Sequence, residues 1–270
     1  ALKARLAMMT PQNARIWYIS PNEPHNKTAY FVDAPYQVDK IGDQTFAAWQ
    51  KKAGEIALTL PELNPYIPDD FTLIKTTKDY PQPQLIVDEP TLRVVYTPSR
   101  YFASEPKVDV SVVLRNPKAM NSAKNQVMFA LNDYLAGIAL DQLSNQAAVG
   151  GISFSTNANN GLMLNANGYT QRLPQLFQAL LEGYFSYTPT EEQLEQAKSW
   201  YAQMMDSAEK GKAYDMALMP AQMLSQVPYF QREDRRALLP SITLKDVLAY
   251  RDALKTHTRP EFLIVGNMSE

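Results

Sequence analysis

Proline divides this chain. Of its 19 prolines, thirteen fall at or before Pro117, while only two of its ten glycines fall before residue 120. Proline fixes φ and removes a backbone donor, so the first part cannot be built from long helices or central strands. It is expected to be extended, with loops and short strands. The remainder, nearly free of proline, is open to regular helices.

In the first part, Ala14-Arg-Ile-Trp-Tyr-Ile19 is a β-branched and aromatic run bounded by Asn13 and Ser20-Pro21, a strand signal. Residues 36–41 form a second candidate strand. Asp43 to Lys52 reads as a short helix with Phe46 and Trp49 on one face. Leu60 to Phe71 holds Pro61, Pro65 and Pro68 and reads as a semi-rigid extended linker continuing to about Pro83.

From residue 84 the pattern is regular. Leu85-Ile-Val87, Leu92 to Tyr96 and Val108 to Leu114 read as strands, the last with Val108, Val110, Val112 and Leu114 on one face. Ser122 to Ala147 is a long helix with the stripe Val127, Leu131, Tyr134, Leu135, Ile138 and Leu143, ended by Gly150-Gly151. Two short segments around Asn159-Asn160-Gly161 make a hairpin. Four helices follow. Thr170 is the expected cap of the first, Thr190-Glu-Glu-Gln193 is a capping box for the second, the third spans about 213–226, and Thr243 caps the fourth. Phe262 to Val265 is a closing buried strand.

Strands and helices interleave without strict βαβ alternation. The expected class is α+β, a mostly antiparallel sheet with helices packed on one face. One echo exists: Ala1 to Ser20 (helical end, break with Pro11, strand) resembles Ala249 to Asn267 (helical end, break with Pro260, strand). The opening residues Ala1 to Met9 read as the last turns of a helix, and the chain is expected to be a segment of something longer. At 270 residues it is long enough for one large domain or two small ones. A hydrophobic fraction of 45% rules out disorder, and a net charge of -2 without a basic stripe argues against nucleic acid. No run approaches the length of a membrane helix.

The chemistry available is narrow. There is no cysteine and there are two histidines, His25 and His257. A catalytic zinc needs about three protein ligands, often two histidines one turn apart. Here one histidine lies in a Pro-flanked loop and the other at a helix end, where a positive charge suits the helix dipole. No nucleophile elbow or phosphate loop is present. Glu191, Glu192 and Glu195 read as helix-start charges, Asp69-Asp70 as turn chemistry, and the methionines Met204, Met205, Met216, Met219 and Met223 as helical core filler. The aromatic strip Tyr96, Tyr101 and Phe102 reads as strand-edge packing. The residues by themselves supply no catalytic, cofactor-binding or metal site.

Three stretches carry a resemblance: Leu63-Asn-Pro-Tyr-Ile-Pro-Asp-Asp-Phe71; Ala147-Ala-Val-Gly-Gly-Ile-Ser-Phe154 with Leu162 to Tyr169 and Leu173-Pro-Gln-Leu-Phe177; and Arg259-Pro-Glu-Phe-Leu-Ile-Val-Gly266. Together they resemble the inter-half linker, the hairpin with its following helix, and the closing strand of the pitrilysin and insulin-degrading-enzyme family. Those proteins are zinc endopeptidases of the inverted H-x-x-E-H type, in which four α+β units enclose a chamber.

The resemblance implies that residues 1–56 are the tail of a preceding unit, 57–83 the linker, and 84–270 a complete unit. The helix equivalent to the zinc-binding one, 122–147, contains no histidine. No catalytic, metal or cofactor residue is therefore carried over; zinc belongs to the full-length protein. The implied work is a non-catalytic chamber wall in a periplasmic peptidase. Its partners would be the other units of the polypeptide and the enclosed peptides, with no nucleic acid and no membrane. Pro61, Pro65 and Pro68 would keep a hinge extended. Two other readings stay open: a stand-alone binding or assembly protein that kept the fold without the chemistry, and an unrelated enzyme with a dispersed site.

Overall fold

The computed structural model describes residues 2–57, 59–60, 62–75, 82–158, 161–225, 228–256 and 258–269. The chain divides into two compact units, Ala1–Glu62 and Leu63–Glu270.

The first unit contains helix α1 (Leu2–Ala7), the two-residue strands β1 (Lys27–Thr28) and β2 (Pro35–Tyr36), which pair antiparallel, and helix α2 (Asp43–Glu55). Phe46 and Trp49 meet edge to face at 5.6 Å on α2, as their spacing implies. The expected strand at 14–19 is not one. Among the described residues it pairs with no neighbour, and Trp17 and Ile19 are 81% and 94% exposed. A strand needs a second backbone to take its N–H and C=O groups, and the unit offers none here. The candidate strand at 36–41 is likewise reduced to β2.

The second unit is built on β3 (Gln84–Glu89), β4 (Leu92–Thr97), β5 (Lys107–Arg115), β6 (Ser153–Ala158), β7 (Gly161–Tyr169) and β8 (Arg259–Gly266). They form one sheet in the order β3-β4-β8-β5-β7-β6; only β4 and β8 run parallel. The chain's last strand thus lies at the centre, between β4 and β5. The helices are α3 (Ala123–Val149), α4 (Leu173–Ser186), α5 (Glu191–Glu209), α6 (Ala213–Ser225), α7 (Arg232–Leu238) and α8 (Leu244–Thr256). This is the expected α+β class.

Alternation on β5 decides which face is covered. Val108, Val110, Val112 and Leu114 are buried, with Leu162, Leu164 and Ala166 of β7, beneath Val127, Leu131 and Leu135 of α3 and Leu173, Leu176 and Leu180 of α4. Each of these valines and leucines removed from water stabilises the fold by roughly 1.5–3 kcal/mol. The stripe expected on α3 is broader than one face: Asn132, Ala136 and Leu140 are buried and Ile138 is 38% exposed. The reason is that α3 is covered by α4, α5, α7, α8 and β6 together.

The caps explain the helix starts. The Ser122 hydroxyl accepts from Asn125 N at 3.1 Å. Thr190 and Gln193 form a reciprocal box at 3.2 and 2.9 Å. Thr243 Oγ1 accepts from Asp246 N at 3.3 Å, and the Asp246 carboxylate accepts from Thr243 N at 3.0 Å. Thr170 departs from expectation. Its hydroxyl donates to Asn267 O at 2.6 Å, and α4 begins after Arg172 without a side-chain cap. The short α7, rich in charge and without an apolar stripe, is a helix the sequence does not announce. Among the described residues no helix is long and apolar enough to cross a membrane.

Candidate functional site

The middle of α3 holds a buried polar knot. Asn132 is fully buried; its Nδ2 donates to Tyr184 Oη at 3.1 Å, and its Oδ1 accepts from Tyr187 Oη at 2.6 Å. Tyr184 Oη donates to Asp133 Oδ1 at 3.2 Å. Burial pushes the Asp133 carboxyl up, opposed by hydrogen bonds from Thr156 and Tyr184, and burial and the Asp133 charge push the Tyr184 phenol well up. Arg251 lays its guanidinium 5.1 Å from the centre of the Tyr187 ring and donates from Nη1 to Tyr187 O at 2.7 Å. Tyr187 is also raised, chiefly by burial.

These groups satisfy one another. The phenols stay protonated at neutral pH and act as donors, so none is poised as a base or nucleophile. The donor set also answers the question of zinc. Tetrahedral zinc wants imidazole or carboxylate ligands free to face the ion, and here the inward groups of α3 are a carboxamide and one carboxylate already bonded to Tyr184. Zinc does not fit α3. Among the described residues, no three His, Asp or Glu side chains converge to hold a metal ion. His25 is exposed, its Nδ1 3.5 Å from Glu23 O, and His257 lies outside the described residues.

The second feature is a strap. From Asn64 to Ile74 the proline-bearing segment is laced to the rest of the second unit by contacts reaching across 82 to 193 residues of sequence. Asn64 Nδ2 donates to Gln146 O at the end of α3 at 2.7 Å, and the Tyr66 side chain is buried. Gln171 Oε1 accepts from Asp69 N and Asp70 N at 2.9 and 3.1 Å, while its Nε2 donates to Asp69 Oδ1 at 2.6 Å. That bond and the Arg172 guanidinium hold the Asp69 carboxyl below its usual range. Phe71 meets the Tyr169 ring edge to face at 5.2 Å. Asn267 closes the strap with a two-way amide pair: its Oδ1 accepts from Ile74 N, and its Nδ2 donates to Ile74 O, both at 2.8 Å. Pro65 and Pro68 lie within this laced segment; Pro61 lies outside the described residues.

The other singled-out residues are placed as follows. Glu191 and Glu192 sit in the first turn of α5, and Glu195 pairs with Lys198 at 2.8 Å. Met205 is core; Met204, Met216 and Met223 are partly exposed. Tyr96 is buried and donates to Met268 O at 2.7 Å, whereas Tyr101 and Phe102 are exposed. Tyr184 fits the apolar stripe of α4 and is buried as that stripe implies, whereas Asn132, Asp133 and Tyr187 are not singled out by the sequence. A polar pair inside an otherwise apolar stripe was the available signal.

The third feature is the sheet face turned away from the helices. It carries Asp109, Ser111 and Val113 of β5, opposite Asn167, Asn165 and Met163 of β7 and Val265, Leu263 and Glu261 of β8. Ser153 and Ser155 of β6 lie opposite Asn167 and Asn165. Within the second unit no described helix packs on this face.

A family model described as the middle or third domain of peptidase M16 matches residues 1–237. Protease 3 of Escherichia coli (strain K12) is 83% identical over 270 residues, all of this chain and 28% of that protein. Insulin-degrading enzyme of Bos taurus is 22% identical over 269 residues, 98% of this chain and 26% of that protein. The crystal structure of pitrilysin matches with a TM-score of 0.84 at 82% identity, covering 100% of this chain and 29% of that one. The chain thus spans little more than a quarter of the length of these relatives.

Proposed function

This chain belongs to the M16 peptidase family, as its middle or third domain, and from that premise we propose that it is a non-catalytic, chamber-forming segment of a zinc metalloendopeptidase. The observation that carries the reading is the state of α3. The helix that would present zinc ligands carries Asn132 and Asp133 instead, tied into bonds with Tyr184 and Tyr187. Hydrolysis, and the zinc that supports it, belong to polypeptide outside these residues. The full protein acts on peptides in the periplasm, and the remaining units of the same polypeptide are this chain's partners. A match to all of this chain but only 28% of Protease 3 favours this over a stand-alone binding protein.

In this reading residues 1–56 finish a preceding unit. The run at 14–19 supports that: it has strand composition, its apolar side chains are exposed, and among the described residues it pairs with no backbone of the first unit. The linker role is narrower than three prolines suggest. Asn64 to Ile74, with Pro65 and Pro68, is laced to the rest of the second unit, so in this reading those two prolines stiffen a tether fixed to that unit rather than a free hinge. Peptide hydrolysis by the 270-residue chain, shown folded by circular dichroism, tests the proposal. No turnover is expected, and chelator-sensitive turnover refutes it.

A further inference from the structure

The uncovered sheet face has a polar half with a defined chemistry. Ser111 Oγ donates to Asn165 Oδ1 at 2.8 Å, and Ser153 Oγ donates to Asn167 Oδ1 at 3.0 Å. Each hydroxyl engages the carbonyl end of its partner carboxamide. Each Asn is therefore fixed with Nδ2 as its free end, and among the described residues neither Nδ2 has a partner of its own. A carboxamide nitrogen carries two N–H donors, so these are solvent-facing donors, on a half-buried Asn165 and an exposed Asn167, oriented by the sheet.

Their spacing is the informative part. Asn165 and Asn167 stand two residues apart on β7 and point to the same face. In a strand that separation is about 6.8 Å, twice the rise per residue. An extended peptide presents its carbonyls along one edge with the same repeat, because every second residue points the same way. Asp109, opposite Asn167 in the register, adds an acceptor beside the donors. Val265 and Leu263, opposite Asp109 and Ser111 on β8, add an apolar strip on which side chains can rest.

We propose that this face is a docking rail for the main chain of an extended peptide, held by the Asn165 and Asn167 amide nitrogens. The inference rests on the reading of the chain as the wall of a peptide-enclosing chamber, and it names the surface and the chemistry of the contact. Main-chain carbonyls are common to all peptides, so the rail binds without regard to sequence. An occupant of this chemistry fits better than a charged partner, since the donors are neutral amides.

The test is steady-state peptide hydrolysis by the full-length peptidase carrying Asn165→Asp and Asn167→Asp together. These changes keep shape and keep the serine bonds but replace donors with acceptors. Two lost hydrogen bonds, one of them beside Asp109, raise KM about tenfold with kcat changed less than twofold. Where the double variant melts early, Ser111→Ala with Ser153→Ala removes only the orienting hydroxyls, and KM rises about threefold. Hydrolysis with unchanged KM in a folded variant overturns the rail and leaves the chamber reading standing. No peptide hydrolysis by the unsubstituted enzyme overturns the chamber reading and the rail with it.

Discussion

Gly150 is where a single added methyl group tests the strap. Its backbone has φ -78° and ψ 1°, a conformation open to any residue, so alanine there carries no backbone strain. The obstacle is purely spatial. A Cβ at Gly150 would lie 2.3 Å from Tyr66 O and 2.7 Å from Tyr66 C, both backbone atoms of the strap. The strap must lift. Doing so exposes the Tyr66 ring, at a cost of about 2 kcal/mol, and breaks the Asn64–Gln146 bond, at a cost of about 1 kcal/mol. Gly150→Ala is therefore expected to destabilise the chain by about 3 kcal/mol, a fall in Tm of roughly 6–12 °C. Gly137 is the control: it lies in α3 with nothing within 4 Å of its added Cβ. There alanine is expected to stabilise by about 0.5–1 kcal/mol. The assay is thermal and urea unfolding with amide hydrogen exchange on 64–74. The amides of Asp69, Asp70 and Ile74, bonded in the native chain, should exchange slowly and lose protection in Gly150→Ala. Equal stability with protection intact refutes the strap.

Two further outcomes follow from named bonds. Tyr187→Phe leaves the fully buried Asn132 Oδ1 without its 2.6 Å donor, and should cost about 1–3 kcal/mol by urea unfolding; a change below measurement error counts against the knot. Asp246 has its pKa lowered from 3.8 to about 2, first by the Thr243 side chain, then by the Thr243 backbone and Lys124. A depressed carboxyl stabilises the folded chain above its unfolded pKa and loses that effect as pH falls through the folded value. The stability gap between the native chain and Asp246→Asn should be full above pH 3.8 and close by about pH 2; a gap independent of pH contradicts the assignment.

The parts of the fold legible in sequence are those set by short-range physics. The β5 alternation, the capping boxes at Thr190 and Thr243 and the hairpin strands depend on residues within a few positions of one another. What was hidden depends on distance. Thr170 looks like a cap because its neighbourhood is a helix start, yet its hydroxyl is claimed by Asn267, 97 residues away. Asp69-Asp70 reads as a turn, and only the fold brings Gln171 against it. Ile138 fits the helical period but faces solvent, because α3 is packed by several elements rather than by one. The run at 14–19 has strand composition and, among the described residues, no partner backbone within its unit. The rail on β7 was invisible for a related reason: Asn165 and Asn167 become directed donors only when Ser111 and Ser153 arrive from other strands.

The central claim is that this segment encloses and does not hydrolyse, and metal content tests it most directly. Zinc should be measured on the folded 270-residue chain after equilibration with the ion and gel filtration, alongside the full-length peptidase. The account expects no retained zinc on the chain and about one ion per full-length molecule. One tightly held zinc per 270-residue chain, with chelator-sensitive peptide cleavage, contradicts it.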